Sequence, residues 1–218
     1  MTTPAGPPHN RHTAREYDAL RVAYDSFNAD LFGGGLPGCL ITFQRHRGAA
    51  GYYSHDRFEA RKGVARTAEI ALNPETFAGR TDRDILSTLV HEMAHLWQAY
   101  HGTPGRTRYH NREWAEKMRE LGLVPSSTGR PGGKETGDRV SHYVLPGGRF
   151  AESCRRLLAG GFRLNWQSVP RRAGGRNKWA YACPGCGAKV WGYAGHVGRL
   201  LCLPCGQVLV ADRDPQSG

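Results

Sequence analysis

The sequence predicts a mixed α+β chain in two unequal parts. Two long segments repeat apolar residues at three- and four-residue steps, short apolar runs lie between them, and the chain closes with two matched cysteine pairs.

Hydrophobic residues make up 39% of the 218, enough for a real core, while Gly 29 and Pro 13 require many turns. The net charge of +11 is unevenly placed: residues 1–120 hold 16 Lys+Arg against 14 Asp+Glu, and residues 121–218 hold 14 against 5. A basic back half implies a polyanionic partner, most simply DNA; a merely solvated surface is the plain alternative. No apolar run reaches the ~20 residues that cross a bilayer. Met1–Thr13 lacks the apolar centre of a signal peptide. No membrane partner is expected, and the location expected is cytoplasmic.

Thr13, with Glu16 three residues on, predicts a capping box opening a helix whose apolar face is Tyr17, Leu20, Tyr24, Phe27 and Leu31. Gly33-Gly34-Gly35 stops it. Cys39–Phe43 reads as a strand, residues 46–67 as a basic hairpin or loop, and Glu69–Leu72 as a second strand closed by Asn73-Pro74. Thr81 and Asp84 cap a second helix running to about Tyr100, with Ile85, Leu89, Val90, Met93 and Leu96 inward. A third helix from about Asn111 turns Trp114, Met118 and Leu121 inward and ends near Gly122. Residues 125–138 read as a linker or long loop. Beyond them come a short strand, a helix over Phe150–Leu158 and a strand over Phe162–Val169.

The second helix carries His91-Glu92-Met93-Ala94-His95. Residues four apart in a helix project from one face a turn apart, so both imidazoles can reach a single Zn²⁺. Glu92, one residue along, can reach a water at that metal without ligating it, the arrangement of zinc peptidases. A third ligand is needed. His101 has metzincin spacing but Gln98 stands where that class has glycine, and a continuing helix turns it about 240° away. His110, beyond the 101–109 loop, can return to the metal and is preferred; Glu113 and Glu116 are more distant alternatives. Tyr52, Tyr53 and Tyr109 read first as packing aromatics, with an oxyanion donor among them the sharper alternative.

His91 to His95, followed by His110-Asn111-Arg112-Glu113-Trp114, resembles the SprT-like (Spartan-type) metalloproteases, as does Asn28-Ala29-Asp30-Leu31-Phe32-Gly33-Gly34-Gly35-Leu36-Pro37. The resemblance covers roughly residues 13–124. It implies a zincin-like metalloprotease domain in which His110 opens a short helix as third ligand, and, for Spartan-type members, proteolysis of proteins crosslinked to DNA. It also implies that an edge strand, taken here as Glu69–Leu72, receives the substrate backbone by strand addition. The short tail Ala211–Gly218 departs from Spartan-type members, so partner-docking motifs like theirs are not expected in it.

Cys183, Cys186, Cys202 and Cys205 form a C-x₂-C-x₁₅-C-x₂-C zinc-ribbon pattern whose four thiolates leave no open position, so that zinc is structural. Cys39 and Cys154 stand apart as small hydrophobes. Phosphate contacts are expected from Arg171, Arg172, Arg176, Lys178, Lys189 and Arg199, and base stacking from Trp179, Tyr181, Trp191 and Tyr193. Covering the small core is the plain role for those aromatics. His46, His55, His142 and His196 have no partner that the sequence names.

The expected divisions are a flexible start (1–12), the catalytic domain (13–124), a basic connecting segment (125–178), the ribbon (179–211) and a tail (212–218). The expected protein is a zinc endopeptidase with two zincs per chain, acting on DNA-bound or crosslinked proteins. Two alternatives stand beside it: a non-catalytic nucleic-acid or transcription accessory factor that uses the ribbon, and a metzincin-like protease that uses His101.

Overall fold

The computed structural model describes residues 11–169 and 178–212, which fall into two compact units divided between Val169 and Pro170. Its mixed α+β character is as expected, with four α-helices among the described residues.

In the first unit, α1 (Arg11–Phe32) buries Leu20, Ala23, Tyr24, Phe27 and Leu31 along one face, whereas Tyr17 is exposed. The expected capping box at Thr13 does not form. Thr13 lies inside the helix, and Glu16 turns inward, where its carboxylate accepts the Asn165 main-chain N–H and Nδ2 at 3.2 and 2.7 Å. Past the helix, Asn28 clasps Leu36 from both sides, Oδ1 accepting its N–H and Nδ2 donating to its carbonyl. Tyr24 Oη donates to the Pro37 carbonyl, so the turn after α1 is held by its own helix.

Strands β1 (Leu40–Phe43), β2 (Gly51–Glu59) and β3 (Arg66–Leu72) form a sheet in the order β1-β3-β2, with β1 parallel and β2 antiparallel to β3. The strand over Glu69–Leu72 is therefore central, not the edge expected. Ala68 through Leu72 are all buried, so both faces of β3 are covered and a neighbour is paired on each side. The edge beside the second helix is β2, drawn from the stretch expected as a hairpin or loop.

That second helix, α2 (Asp82–His101), starts at a complete capping box between Thr81 and Asp84. Its Ile85, Leu86, Leu89, Val90, Met93 and Leu96 are buried in the same core as α1. Then α3 (Arg112–Glu120), capped by Asn111 Oδ1 on the Trp114 N–H, buries Trp114, Ala115 and Met118. Gly122, at φ +83°, ends it against the start of the next helix, where a Cβ would meet the Arg149 nitrogen at 3.0 Å.

Residues 125–169 pack into this unit as well. Antiparallel β4 (Leu123–Ser126) and β5 (Ser141–Val144) flank the 127–140 loop, and α4 (Arg149–Ala159) lies on α1 with Phe150 buried against Phe27. Arg149 and Arg156 reach the carboxyl end of α1 and Asp30. The strand expected over Phe162–Val169 is absent among the described residues. Hydrogen bonds from Asn165 to Glu16 and from the Ser168 N–H to the Pro74 carbonyl take the place of a ladder.

The second unit has a sheet ordered β10-β6-β7, from β6 (Lys178–Ala182), β7 (Lys189–Tyr193) and β10 (Val210–Ala211), beside a hairpin of β8 (Leu201–Cys202) and β9 (Gln207–Val208). Among the described residues its buried core is Tyr181, Cys183, Cys202 and Leu209, with Trp179, Leu200, Cys205 and Ala211 packed against it and Tyr181 Oη donating to the Tyr193 carbonyl. So small a core needs a further source of stability.

Candidate metal centres

The four cysteine sulfurs of the second unit lie within 4.8 Å of one another. Cys186 Sγ and Cys202 Sγ are 3.6 Å apart, close to the ~3.8 Å edge of a tetrahedron with zinc–sulfur bonds of about 2.3 Å. Main-chain N–H groups of Cys186 and Gly185 lower the Cys183 thiol to about 7, while the neighbouring sulfurs raise Cys202 and Cys205, the mutual crowding of four thiols around one point. Four converging soft donors in a unit with almost no core fit a structural zinc.

The other cluster lies in the first unit. His91 and His95 project from one face of α2, and His110 comes from the loop before α3; their ligand atoms also lie within 4.8 Å of one another. Trp114, one turn into α3, is fully buried beneath them, its ring centroid 4.9, 5.1 and 4.3 Å from those of His91, His95 and His110. His95 stacks with two rings, Trp114 at 5.1 Å and Tyr53 at 6.5 Å between centroids, each inclined to it by 16°. Tyr53 and Tyr52 are engaged elsewhere through their hydroxyls, with His55 Nδ1 and Glu69 respectively.

Outer hydrogen bonds fix the free nitrogen of His110 and of His91. His110 Nδ1–H donates to the Gly137 carbonyl at 3.0 Å, and the same two residues exchange both main-chain bonds. That leaves His110 Nε2 with its lone pair. His91 Nδ1 lies 3.1 Å from His142 Nδ1, which likewise leaves Nε2. Burial pushes His91 well below the usual histidine value, helped by the neighbouring imidazoles, and takes His95 down to about 3. His110 is also lowered by burial. Three imidazoles favoured neutral, each with a ring nitrogen within 4.8 Å of the others, are what a borderline-soft dication requires, and three protein ligands leave an open position.

Glu92 is buried beside this cluster. Burial pushes its carboxyl up to about 8, against a main-chain hydrogen bond from Tyr53 that lowers it. The carboxylate lies over Gly51 of β2, where a Cβ would stand 3.2 Å from Glu92 Oε1 and 2.9 Å from both the Ala71 carbonyl and Thr88 Cγ2. Gly51 thus makes the room that Glu92 occupies.

The His101 alternative is not supported. Its Nε2 lies 2.9 Å from the Gly35 carbonyl, and it is exposed, because α2 continues and carries it away from the cluster. Glu113 does not join the histidines either. Its carboxylate accepts the Thr103 N–H and Gln98 Nε2, both at 2.7 Å, pinning the loop that delivers His110. Glu116 pairs with Arg112 on the surface.

Two residues escaped the sequence. His142 returns on β5, 51 positions beyond His91, and no local pattern marks it. Gly51 carries a weak signal, a glycine inside an apolar-aromatic run, which denotes close backbone approach.

Of the basic residues expected to meet phosphates, Arg171, Arg172 and Arg176 lie outside the described residues. Lys178, Lys189 and Arg199 are exposed. The register pairs Lys178 with Tyr193, Ala180 with Trp191 and Ala182 with Lys189, so Lys178, Lys189, Trp191 and Tyr193 share one sheet face. Trp191 and Tyr193 are exposed on it. Tyr181 is fully buried and cannot stack on a base, since its ring fills the core; Trp179 is half-buried.

With the geometry in place, likeness to known proteins agrees with it. The chain is 46% identical over 61 residues to an uncharacterized protein in the mucB 3′ region of Salmonella typhimurium, an overlap covering 28% of this chain and 82% of that protein. The SprT-like family model matches residues 20–131, just over half of the chain, and spans all three histidines and Glu92. The chain belongs to the SprT-like family.

Proposed function

We propose that this protein is a zinc-dependent endopeptidase of the SprT type, brought to DNA by its basic C-terminal half and acting on DNA-bound or crosslinked proteins. The observation that carries the reading is the convergence of His91, His95 and His110 beside the buried carboxyl of Glu92. Every proposed catalytic residue lies within residues 13–124.

Bound at the histidines, zinc would polarise a scissile carbonyl and acidify a water molecule. The chain's own residues do the rest. Glu92, held near neutrality by its burial, is suited both to accept the proton of the attacking water and to deliver it to the leaving amine. Trp114 and Tyr53 fix the His95 ring, Gly137 fixes His110, and Gly51 sets how close Glu92 approaches β2. As the edge of the sheet that packs on α2, β2 is the strand suited to pair with an extended substrate backbone through main-chain bonds with little side-chain selectivity.

Support for the DNA-directed part is the lysine–aromatic face of β6 and β7, which joins cations for phosphates to rings for stacking. The thiolate cluster fits a reducing compartment, in keeping with a cytoplasmic location. No helix among the described residues is long and apolar enough to cross a membrane.

The test is cleavage of a DNA-bound protein by the parent and by Glu92→Gln, each with and without DNA. Cleavage that needs Glu92 and rises with DNA supports the whole reading. Cleavage indifferent to DNA retains the peptidase alone, and equal behaviour of the two proteins removes both parts and leaves the accessory-factor alternative.

A further inference from the structure

We infer that His142 is a positioning residue for the histidine centre, fixing through its Nδ1 the tautomer and ring direction of His91. The inference rests on the reading that His91 ligates a metal, and concerns a residue outside the stretch matched by the family model.

The chain of hydrogen bonds starts at a carbonyl. Ser87 Oγ lies 2.8 Å from the Asp84 main-chain oxygen, which can only accept, so the hydroxyl proton points there. The hydroxyl lone pair then faces His142 Nε2 at 2.9 Å, and Nε2 must carry the proton. A neutral imidazole has one N–H, so His142 Nδ1 is an acceptor. It faces His91 Nδ1 at 3.1 Å, which must therefore be the donor. His91 is left with its lone pair on Nε2 alone, directed away from this chain of bonds.

The placement is economical. Ser87 and His91 stand four residues apart on one face of α2, a single turn, and His142 bridges them with its two ring nitrogens. A histidine that merely filled space there would not need both nitrogens in directional bonds ending at a fixed carbonyl. The same hairpin supplies the Gly137 carbonyl to His110, so two of the three ligands are oriented from one loop. Partners of this kind raise ligand basicity, and their loss typically costs about 10–100-fold in metal affinity.

The experiment uses the full chain loaded with zinc. Long-range proton–nitrogen spectra of the parent should show His91 protonated at Nδ1 and His142 at Nε2; a proton on His142 Nδ1 overturns the inference without any substitution. Chelator competition should then find zinc at the histidines about 10–100-fold weaker in His142→Leu, with the cobalt d–d bands of that centre shifted and zinc at the cysteines retained. His142→Asn, whose amide oxygen can accept from His91, should recover most of the affinity. Parent-like affinity in His142→Leu, or equal losses in the Leu and Asn variants, refutes the positioning role. A parent that binds zinc only at its cysteines removes the metal reading itself, and the inference with it.

Discussion

Glu92 Oε1 stands 3.2 Å from where a Cβ on Gly51 would lie, so the proposed general base and the edge strand share one small space. Such a contact is tighter than a side chain tolerates without shifting, and the neighbouring Ala71 carbonyl leaves no retreat on the other side. Gly51→Ala should displace the carboxylate and lower peptide cleavage by about ten- to a hundredfold, the scale of a misplaced catalytic group. Zinc content should stay at the parent value, because the histidines are not moved. Unchanged cleavage would show that this approach does not position Glu92.

His110→Ala and His101→Ala should separate the two proposed coordination schemes. The first removes a donor whose other nitrogen is already fixed by Gly137, so zinc should fall from two per chain to one or be held far more weakly. The second removes a hydrogen bond to the Gly35 carbonyl at the exposed end of α2, and should leave both zincs in place. Metal analysis after dialysis reads the difference. The reverse outcome would select the metzincin-like arrangement.

Asp30 ties α1 to α4. Ser153 Oγ–H, then Arg156, hold its carboxyl below the ordinary value of 3.8. The folded state thus binds that proton less readily than the unfolded chain, and the contribution is complete above the ordinary value and fades as pH falls through the lowered one. Asp30→Asn should cost about 1 kcal/mol at pH 7, a modest figure because the site is partly exposed and screened. The gap between the two proteins in thermal unfolding should narrow below pH 4; a gap constant down to pH 2 would contradict the assignment.

DNA affinity should fall steeply with salt if phosphates are the partner, by a slope of roughly one counterion for each lysine or arginine engaged. Joint neutralisation of Lys178 and Lys189 should flatten that slope by about two, and of Arg171, Arg172 and Arg176 by up to about three. Trp191→Ala should instead weaken single-stranded binding by about 1–3 kcal/mol with the slope preserved. A slope unaltered by the charge changes would remove this face as the docking surface.

Much of this was legible in residue order because the responsible interactions are local. The Thr81–Asp84 box, the four-residue spacing of His91 and His95, and the cysteine pairs are each set within a turn or a knuckle. His110 depended on a loop closing, which spacing and resemblance together anticipated. What the sequence concealed was long-range. Glu16 fits a capping box as written, but it is buried, and Asn165, 149 positions on, offers the donors that capture its carboxylate. The strand expected at Phe162–Val169 has the right composition, but Asn165 and Ser168 bond to Glu16 and to the Pro74 carbonyl instead of to a neighbouring strand. Residues 51–59 mix polar and aromatic side chains without strict alternation, which left hairpin and loop both open for 46–67; antiparallel β2 and β3 make it a hairpin. His142 reaches His91 only because β5 folds back beside β4, a pairing that leaves no mark near either residue.

The most direct test of the histidine centre is anomalous diffraction at the zinc edge from crystals of the full chain. Two peaks are expected, one about 2.0–2.1 Å from a ring nitrogen of each of His91, His95 and His110, and one about 2.3 Å from the four cysteine sulfurs. A single peak at the cysteines in zinc-saturated protein, with the three imidazoles turned apart, would contradict it.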